Sequence, residues 1–271
     1  MGRSAQLSID EVSAVFRLVG ECREMWSDAH AWQEHLVRGA CRLTGTATGQ
    51  FNEQRLAADL SSTQILDETF AGDWRDERSR SHLTRMYADH TNRAAFFSRC
   101  MHLASRALSD GHATALRCQL RPDREWYRSL VYNEYRRPAQ MDDAILSFGL
   151  NPLRGSIVML TVNHDVSDSA PTLRSAAALS LLTREIAPLV GTALATTAQR
   201  GTHDLSPRLR QTLDRLLAGD SEKEIATTLN LHRTTVHQYV GMLYDHFDVD
   251  SRGELMAYFV GRRPGTTTMQ A

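Results

Sequence analysis

Apolar residues at helical spacing open the chain. Val12, Val15, Phe16, Val19, Cys22 and Met25–Trp26 recur every three or four positions, which predicts an amphipathic helix. A second helix is predicted from about Ala29 to Leu43, with Trp32, Leu36, Ala40 and Leu43 on one side and Gly45 as its stop. Residues 46–70 obey no single period; strands are expected around Gln50–Leu60. From Trp74 to about Ala107 the period is helical again. It then shortens to two. Leu116, Cys118 and Leu120 alternate with Arg117, Gln119 and Arg121, the pattern of a half-buried strand. Ala144, Leu146, Phe148 and Leu150 alternate in the same way, Asn151–Gly155 reads as a turn, and the apolar run Gly155–Val162 predicts a central strand. The two runs make a hairpin of an antiparallel sheet.

Beyond the sheet, a helix is predicted from about Pro171 to Ala198. Leu179, Leu182, Ile186, Leu189 and Ala193 form a two-heptad seam that suits either the domain's own sheet or a second copy. Pro188 is expected to kink it, because its ring clashes with the carbonyl at Arg184. Residues 199–204 read as a linker, 205–261 as an all-helical domain, and 262–271 as a flexible tail.

Punctuation in the last domain is sharp. Ser206-Pro207 combines a capping hydroxyl with proline at the first helical position. Leu209, Leu213, Leu216 and Leu217 give that helix its apolar face, and Gly219 ends it. Ser221-Glu222-Lys223-Glu224 is a capping box for a short helix whose Ile225, Ala226 and Leu229 face inward. A tight turn at Asn230-Leu231 leads to a third helix, about Arg233–Phe247, with Val236, Val240, Leu243 and Phe247 as its buried stripe. Ser251-Arg252-Gly253-Glu254 opens a fourth. Four short helices with a tight turn between the second and third form a helix-turn-helix, whose third helix is expected in the major groove of DNA.

Composition narrows the functional classes. The 271 residues are 42% apolar and 23% charged with a net charge of −1, an ordinary globular balance that gives no argument from bulk basicity. Lys223 is the only lysine against thirty arginines. That excludes a Gly-rich phosphate loop, which needs a lysine. It also excludes a Schiff-base enzyme or an ordinary phospho-acceptor receiver within residues 1–200. The N-terminus carries acids where the apolar core of a secretory leader would sit. Arg184 and Glu185 interrupt the longest apolar tract, so no membrane association is expected and the protein is placed in the cytoplasm. Cys22, Cys41, Cys100 and Cys118 show no metal spacing and read as reduced, buried core residues. No metal or other cofactor is expected, and no catalytic constellation emerges. His164-Asp165 are read in a loop and Asp142-Asp143 as solvated.

Residues 205–260 resemble the LuxR/GerE-type DNA-binding domain of bacterial regulators. Leu205-Ser206, Ala218-Gly219, Lys223-Glu224-Ile225-Ala226, Leu229, Leu231, Thr235-Val236, Val249 and Ser251-Arg252 fall at that family's spacing. The resemblance implies double-stranded DNA as partner. It implies His237, Gln238 and Gly241 towards bases and Thr234 and Thr235 towards phosphate, with Arg233, Lys223 and His246 nearby. The departures are chemical. His232 replaces the usual capping serine, His237 a lysine, Leu209 a glutamate, and His246 another lysine. Residues 201–263 hold eight Lys/Arg against nine Asp/Glu. Because affinity for DNA comes largely from displaced counterions, one copy is expected to bind weakly, and a homodimer on two half-sites is expected to compensate. Histidines 232, 237 and 246 would favour binding as pH falls, since phosphate favours their protonated form.

For residues 1–198, the segment Trp126–Pro138 resembles one common in the sensory halves of LuxR-type regulators. With the order of elements it implies a GAF- or PAS-like α+β sensor, an antiparallel sheet flanked by helices, with 171–198 as connecting helix. Trp126, Tyr127, Tyr132 and Tyr135 are the candidate lining of a small-molecule pocket; Trp74, Tyr87 and Asp89 resemble residues of acyl-homoserine-lactone sensors, whose surrounding sequence this chain lacks. The whole reads as a ligand- or protein-responsive transcription regulator, with RNA polymerase as a further partner. The second reading is a protein-interaction regulator whose helix-turn-helix has lost useful DNA affinity.

Overall fold

A computed structural model describes residues 6–57, 63–88, 90–166, 170–197, 202, 205–247 and 249–260. The expected tail at 262–271 and most of the expected linker at 199–204 lie outside them, as does Asp89. The chain forms two compact units, one of Met1–Cys22 and His30–Val190, the other of Arg23–Ala29 and Gly191–Ala271.

The first unit is α+β. Helices α1 (Ile9–Glu24) and α2 (Ala29–Thr44) precede strands β1 (Thr48–Leu56) and β2 (Thr63–Gly72). Then come α3 (Glu77–Ala88), α4 (His90–Asp110), β3 (His112–Leu116), the single turns α5 (Arg117–Leu120) and α6 (Asp123–Trp126), and a π-helical turn Val131–Arg136. Strands β4 (Met141–Asn151) and β5 (Ser156–Asp165) and helix α7 (Leu173–Ile186) complete it. All pairings are antiparallel, in the order β2-β1-β5-β4-β3, so the apolar run of β5 is central as its composition predicts.

Side chains alternate between the two faces. On one face Leu146, Phe148, Ile157 and Met159 pack with Leu83 and Met86 of α3 and Leu103 and Ala107 of α4. On the other, Phe51 meets Trp32 of α2 edge to face, ring centroids 5.1 Å apart. Here α7 lies close to β4: a Cβ on Gly149 would come within 2.9 Å of the Thr183 carbonyl and 2.8 Å of the Ala187 methyl. The seam residues Leu179, Leu182 and Ile186 are fully buried. The helix sits on its own sheet.

Five expectations need correction. The helix expected over 171–198 covers only Leu173–Ile186. Proline lacks an amide donor and disfavours helix before it, so the chain tightens to a 3₁₀ turn at Ala187–Leu189 and becomes extended at Val190. The alternation through Leu116–Arg121 is not a strand, because β3 ends at Leu116. Arg117 turns inward, donating to Asp143 and Asp123 at 2.9 and 2.6 Å, and Gln119 Oε1 accepts the Leu116 amide. Cys118 is thereby exposed rather than buried, and Asp143 is a half-buried ion-pair partner rather than a solvated acid. His164 and Asp165 end strand β5 instead of lying in a loop.

The second unit is helical: α8 (Pro207–Leu217), α9 (Glu222–Leu229), α10 (Arg233–Phe247) and α11 (Arg252–Val260). Leu213, Leu216, Ile225, Val236, Val240, Leu243, Phe247, Leu255 and Phe259 form its core. Arg23–Ala29, between α1 and α2 in sequence, belongs here. Trp26 stands edge-on to Phe259 with centroids 5.5 Å apart, its carbonyl accepts the Ala195 amide at 2.8 Å, and Ser27 and Thr202 hydroxyls lie 3.3 Å apart.

Candidate nucleic-acid interface

Local chemistry sets the angle between α9 and α10. Ser221 and Glu224 make the reciprocal capping box, with the Ser221 amide donating to Glu224 Oε2 at 2.8 Å. The resulting pair of hydrogen bonds lowers the Glu224 pKa. Asn230 adopts the left-handed conformation at φ 52°, which asparagine tolerates better than most residues, and Leu231 N closes on the Ala226 carbonyl. Histidine caps poorly: the His232 ring pairs with the Thr234 hydroxyl at 2.8 Å, while its carbonyl takes the Thr235 and Val236 amides. At α11 half of the second box forms: Ser251 Oγ accepts the Glu254 amide, while Glu254 Oε2 accepts the Asp250 amide in place of that of Ser251.

Helix α10 presents one continuous exposed face. Arg233, Thr234, His237, Gln238, Gly241, Met242 and Asp245 are exposed, opposite the buried stripe of Val236, Val240, Leu243 and Phe247. Lys223, on α9, is also exposed. Thr235 and His246 are half-buried on the flank, His246 edge-on to Phe247 at 4.8 Å. A Cβ at Gly241 would meet nothing within 4 Å. The structure thus brings Arg233, Thr234, His237, Gln238 and Gly241 onto one surface and sets His246 aside.

The charge on that surface is thin. His237 Nδ1 lies 3.3 Å from Glu222 Oε1, so phosphate approaching His237 also meets a carboxylate. Arg252 donates to the Leu216 carbonyl and Arg210 to those of Thr202 and Leu205, while Arg215 pairs with Asp220. These cations secure the helical fold.

The aromatic candidates of the first unit are a packed knot. Trp126 is 2% exposed, lies near the guanidinium groups of Arg117 and Arg136 at 5.3 and 5.5 Å, and donates its indole N–H to the Asp142 carbonyl. Tyr127 reaches Asp142 Oδ2 and stands edge-on to Tyr132 at 5.0 Å. Tyr135 is buried in the core beneath Arg85, and Trp74 packs against the same core. Ser129 and Asn133 fasten the segment by bonds to the Trp126, Tyr127 and Ser129 carbonyls. Arg136, fully buried, donates to Asn163 Oδ1 and the Asp143 carbonyl.

Sequence reasoning missed a polar column on β1. Thr48, Gln50, Asn52 and Gln54 occupy alternate positions on the face that carries Phe148 and Met159, and each is at most 1% exposed. The available signal was the polar character of every second residue in a strand that must be buried.

Residues 203–259 match the GerE family, described as bacterial regulatory proteins of the luxR family. No curated protein matches the chain in sequence. Among solved structures, the chain is similar to Escherichia coli SdiA at 15% identity and a TM-score of 0.42, over 91% of this chain and 96% of that one. It is also similar to SdiA in complex with octanoyl-rac-glycerol at 12% identity and a TM-score of 0.43, over 95% and 97%.

Proposed function

We propose that the protein is a transcription regulator that binds double-stranded DNA through α10 as a homodimer, under control of its first unit. The observation that carries this is the exposed face of α10, Arg233–Thr234–His237–Gln238–Gly241, within a match to a DNA-binding family. The face offers hydrogen-bonding side chains suited to base edges and leaves Gly241 open to close approach. In this reading Arg233, Thr234 and Lys223 meet phosphate, His237 and Gln238 read bases, and Thr235 and His246 support from the flank. Residues 1–198 act as a GAF- or PAS-like sensor and 205–261 as the DNA-binding domain. Two weak half-sites give useful affinity because the second contact is made at high effective concentration. A ligand acts by binding one arrangement of the protein better than another.

The test is a gel shift with genomic fragments at low salt, with size-exclusion light scattering on the same sample. Retarded fragments and a dimeric mass support the proposal. A strictly monomeric protein that grips a unique duplex tightly in physiological buffer contradicts the dimer. Absence of any DNA binding, unrestored by His237→Lys, favours the second reading, a helix-turn-helix that binds protein. The His237–Glu222 pair is the specific feature on that side.

A further inference from the structure

The exposed face of α10 is chemically selective as well as thin in charge. Each base pair shows its own pattern of donors and acceptors in the major groove, and guanine shows acceptors only. A side chain that recognises guanine must donate, and arginine and lysine do so most often. Arg233 is the only lysine or arginine on α10 and is its first residue. It stands five positions before Gln238, about 140° around the helix. His237 is committed by Glu222. A carboxylate oxygen only accepts, so ring nitrogen Nδ1, 3.3 Å from Glu222 Oε1, is the one that carries the proton. In the neutral ring Nε2 is then an acceptor, and guanine offers it no donor.

Gln238 suits a different base. It is exposed, and its side-chain amide has no hydrogen-bond partner among the described residues. That amide both donates and accepts, which complements adenine N7 and N6. Gly241 and Met242 follow three and four positions on, one turn along the same face. Met242 is 51% exposed and is the single exposed large hydrophobic among the described residues of the helical unit. At Gly241 a Cβ would meet nothing within 4 Å. Alanine would fit there and favour the helix, so the fold supplies no reason for glycine. Together the two residues offer an apolar surface that a partner can approach closely. The apolar group in the major groove is the thymine methyl.

We propose that α10 selects A·T pairs: Gln238 pairs with N6 and N7 of an adenine, and Met242 packs on a thymine methyl, with Gly241 letting the helix seat close to the bases. Four residues of helix span roughly 6 Å, and base pairs are spaced by about 3.4 Å. The two A·T pairs therefore lie within about two steps of each other. Asp245, one turn beyond Gly241, accepts only from cytosine. The inference rests on the DNA-binding reading above and names the base pairs that this surface takes.

The test uses the full chain at about pH 8, where histidine is neutral. A pool of duplexes with a randomised centre is passed over the protein, and the retained duplexes are sequenced. Two A·T pairs within two steps are expected to be enriched in each half-site. The selected duplex is then remade with 7-deazaadenine, which lacks N7, or with uracil, which lacks the thymine methyl. Fluorescence anisotropy is expected to show a loss of about fivefold per half-site for the first and about three- to fourfold for the second. Gln238→Ala and Met242→Ala, both at exposed positions, are expected to be indifferent to the first and second change respectively. Gln238→Arg is expected to move the enriched base from adenine to guanine. Retention of the pool with only G·C pairs enriched, or with none, overturns this inference and leaves DNA binding standing. Enrichment of A·T pairs that is indifferent to both base changes reflects groove shape and overturns it too. A pool that is not retained at all overturns both readings. The wild-type measurements decide by themselves should a variant fail to fold.

Discussion

The double variant Glu222→Gln, His237→Lys tests whether α10 meets phosphate. In the wild type, two exposed cations, Lys223 and Arg233, flank the reading face, and His237 is opposed by Glu222 at 3.3 Å. Each phosphate neutralised contributes about 0.9 to the slope of log affinity against log salt. On the proposed dimer, two cations per protomer give a slope of about 3.6, which is shallow beside the value near 10 of a strongly cationic repressor. The variant adds one fixed cation per protomer and removes the carboxylate beside it, raising the dimer slope to about 5.4. Between about 200 and 50 mM salt, that difference amounts to roughly 12-fold extra strengthening. The slope is measurable by fluorescence anisotropy on a mixed-sequence duplex, because this part of the affinity is independent of sequence. Circular dichroism confirms that the variant folds. An unchanged slope in a folded variant would mean that α10 does not face the backbone. A wild-type slope near 10 would mean that arginines elsewhere carry the binding.

Trp26→Ala is expected to destabilise the helical unit by about 3 kcal/mol, the low end for loss of a large aromatic from a core, since Trp26 is half-buried against Phe259. Chemical denaturation reads this directly; an unchanged midpoint would refute the packing. Native protein is expected to expose a single thiol to a disulfide reagent, Cys118. Burial pushes the Cys22 and Cys100 thiols up to about 12 and Cys41 up to about 11, so these three should react only after denaturation. Glu11 accepts two bonds from Arg174 at 2.7 Å and others from Ser8, and these lower its pKa to about 2. A lowered carboxylate pKa contributes stability that is present above the unfolded value near 4.5 and lost as pH falls towards 2. Glu11→Gln should remove that part of the acid dependence, and identical melting profiles for both proteins between those pH values would count against it.

What could be read from the sequence follows from where the physical signal resides. The helical unit announces itself locally. A capping serine followed by proline at 206–207, a serine–glutamate pair at 221 and 224, and an asparagine that accepts a left-handed backbone at 230 each act within four residues. Interactions distant in sequence are invisible to periodicity. Arg117 looked like the outward residue of a strand, yet Asp143, twenty-six positions on, draws it inward. Trp26 reads as the last apolar position of the first helix, and only the structure places it beside Phe259.

The stretch from 46 to 70 obeys no single period, although strands are expected around Gln50–Leu60 and β1 runs over Thr48–Leu56. A buried strand is recognised by apolar residues at every second position. β1 has polar residues on both faces: Gln50, Asn52 and Gln54 on one, and Glu53 on the other, where it accepts from Arg154 and Ser156. Glu53 has chain partners that explain its burial, whereas Asn52 and Gln54 have none among the described residues. Folding alone would favour leucine or valine at positions 52 and 54, so the amides cost stability. Natural sequences break local rules of this kind chiefly at functional sites. The residues that blur the period of β1 are therefore the ones whose burial costs stability.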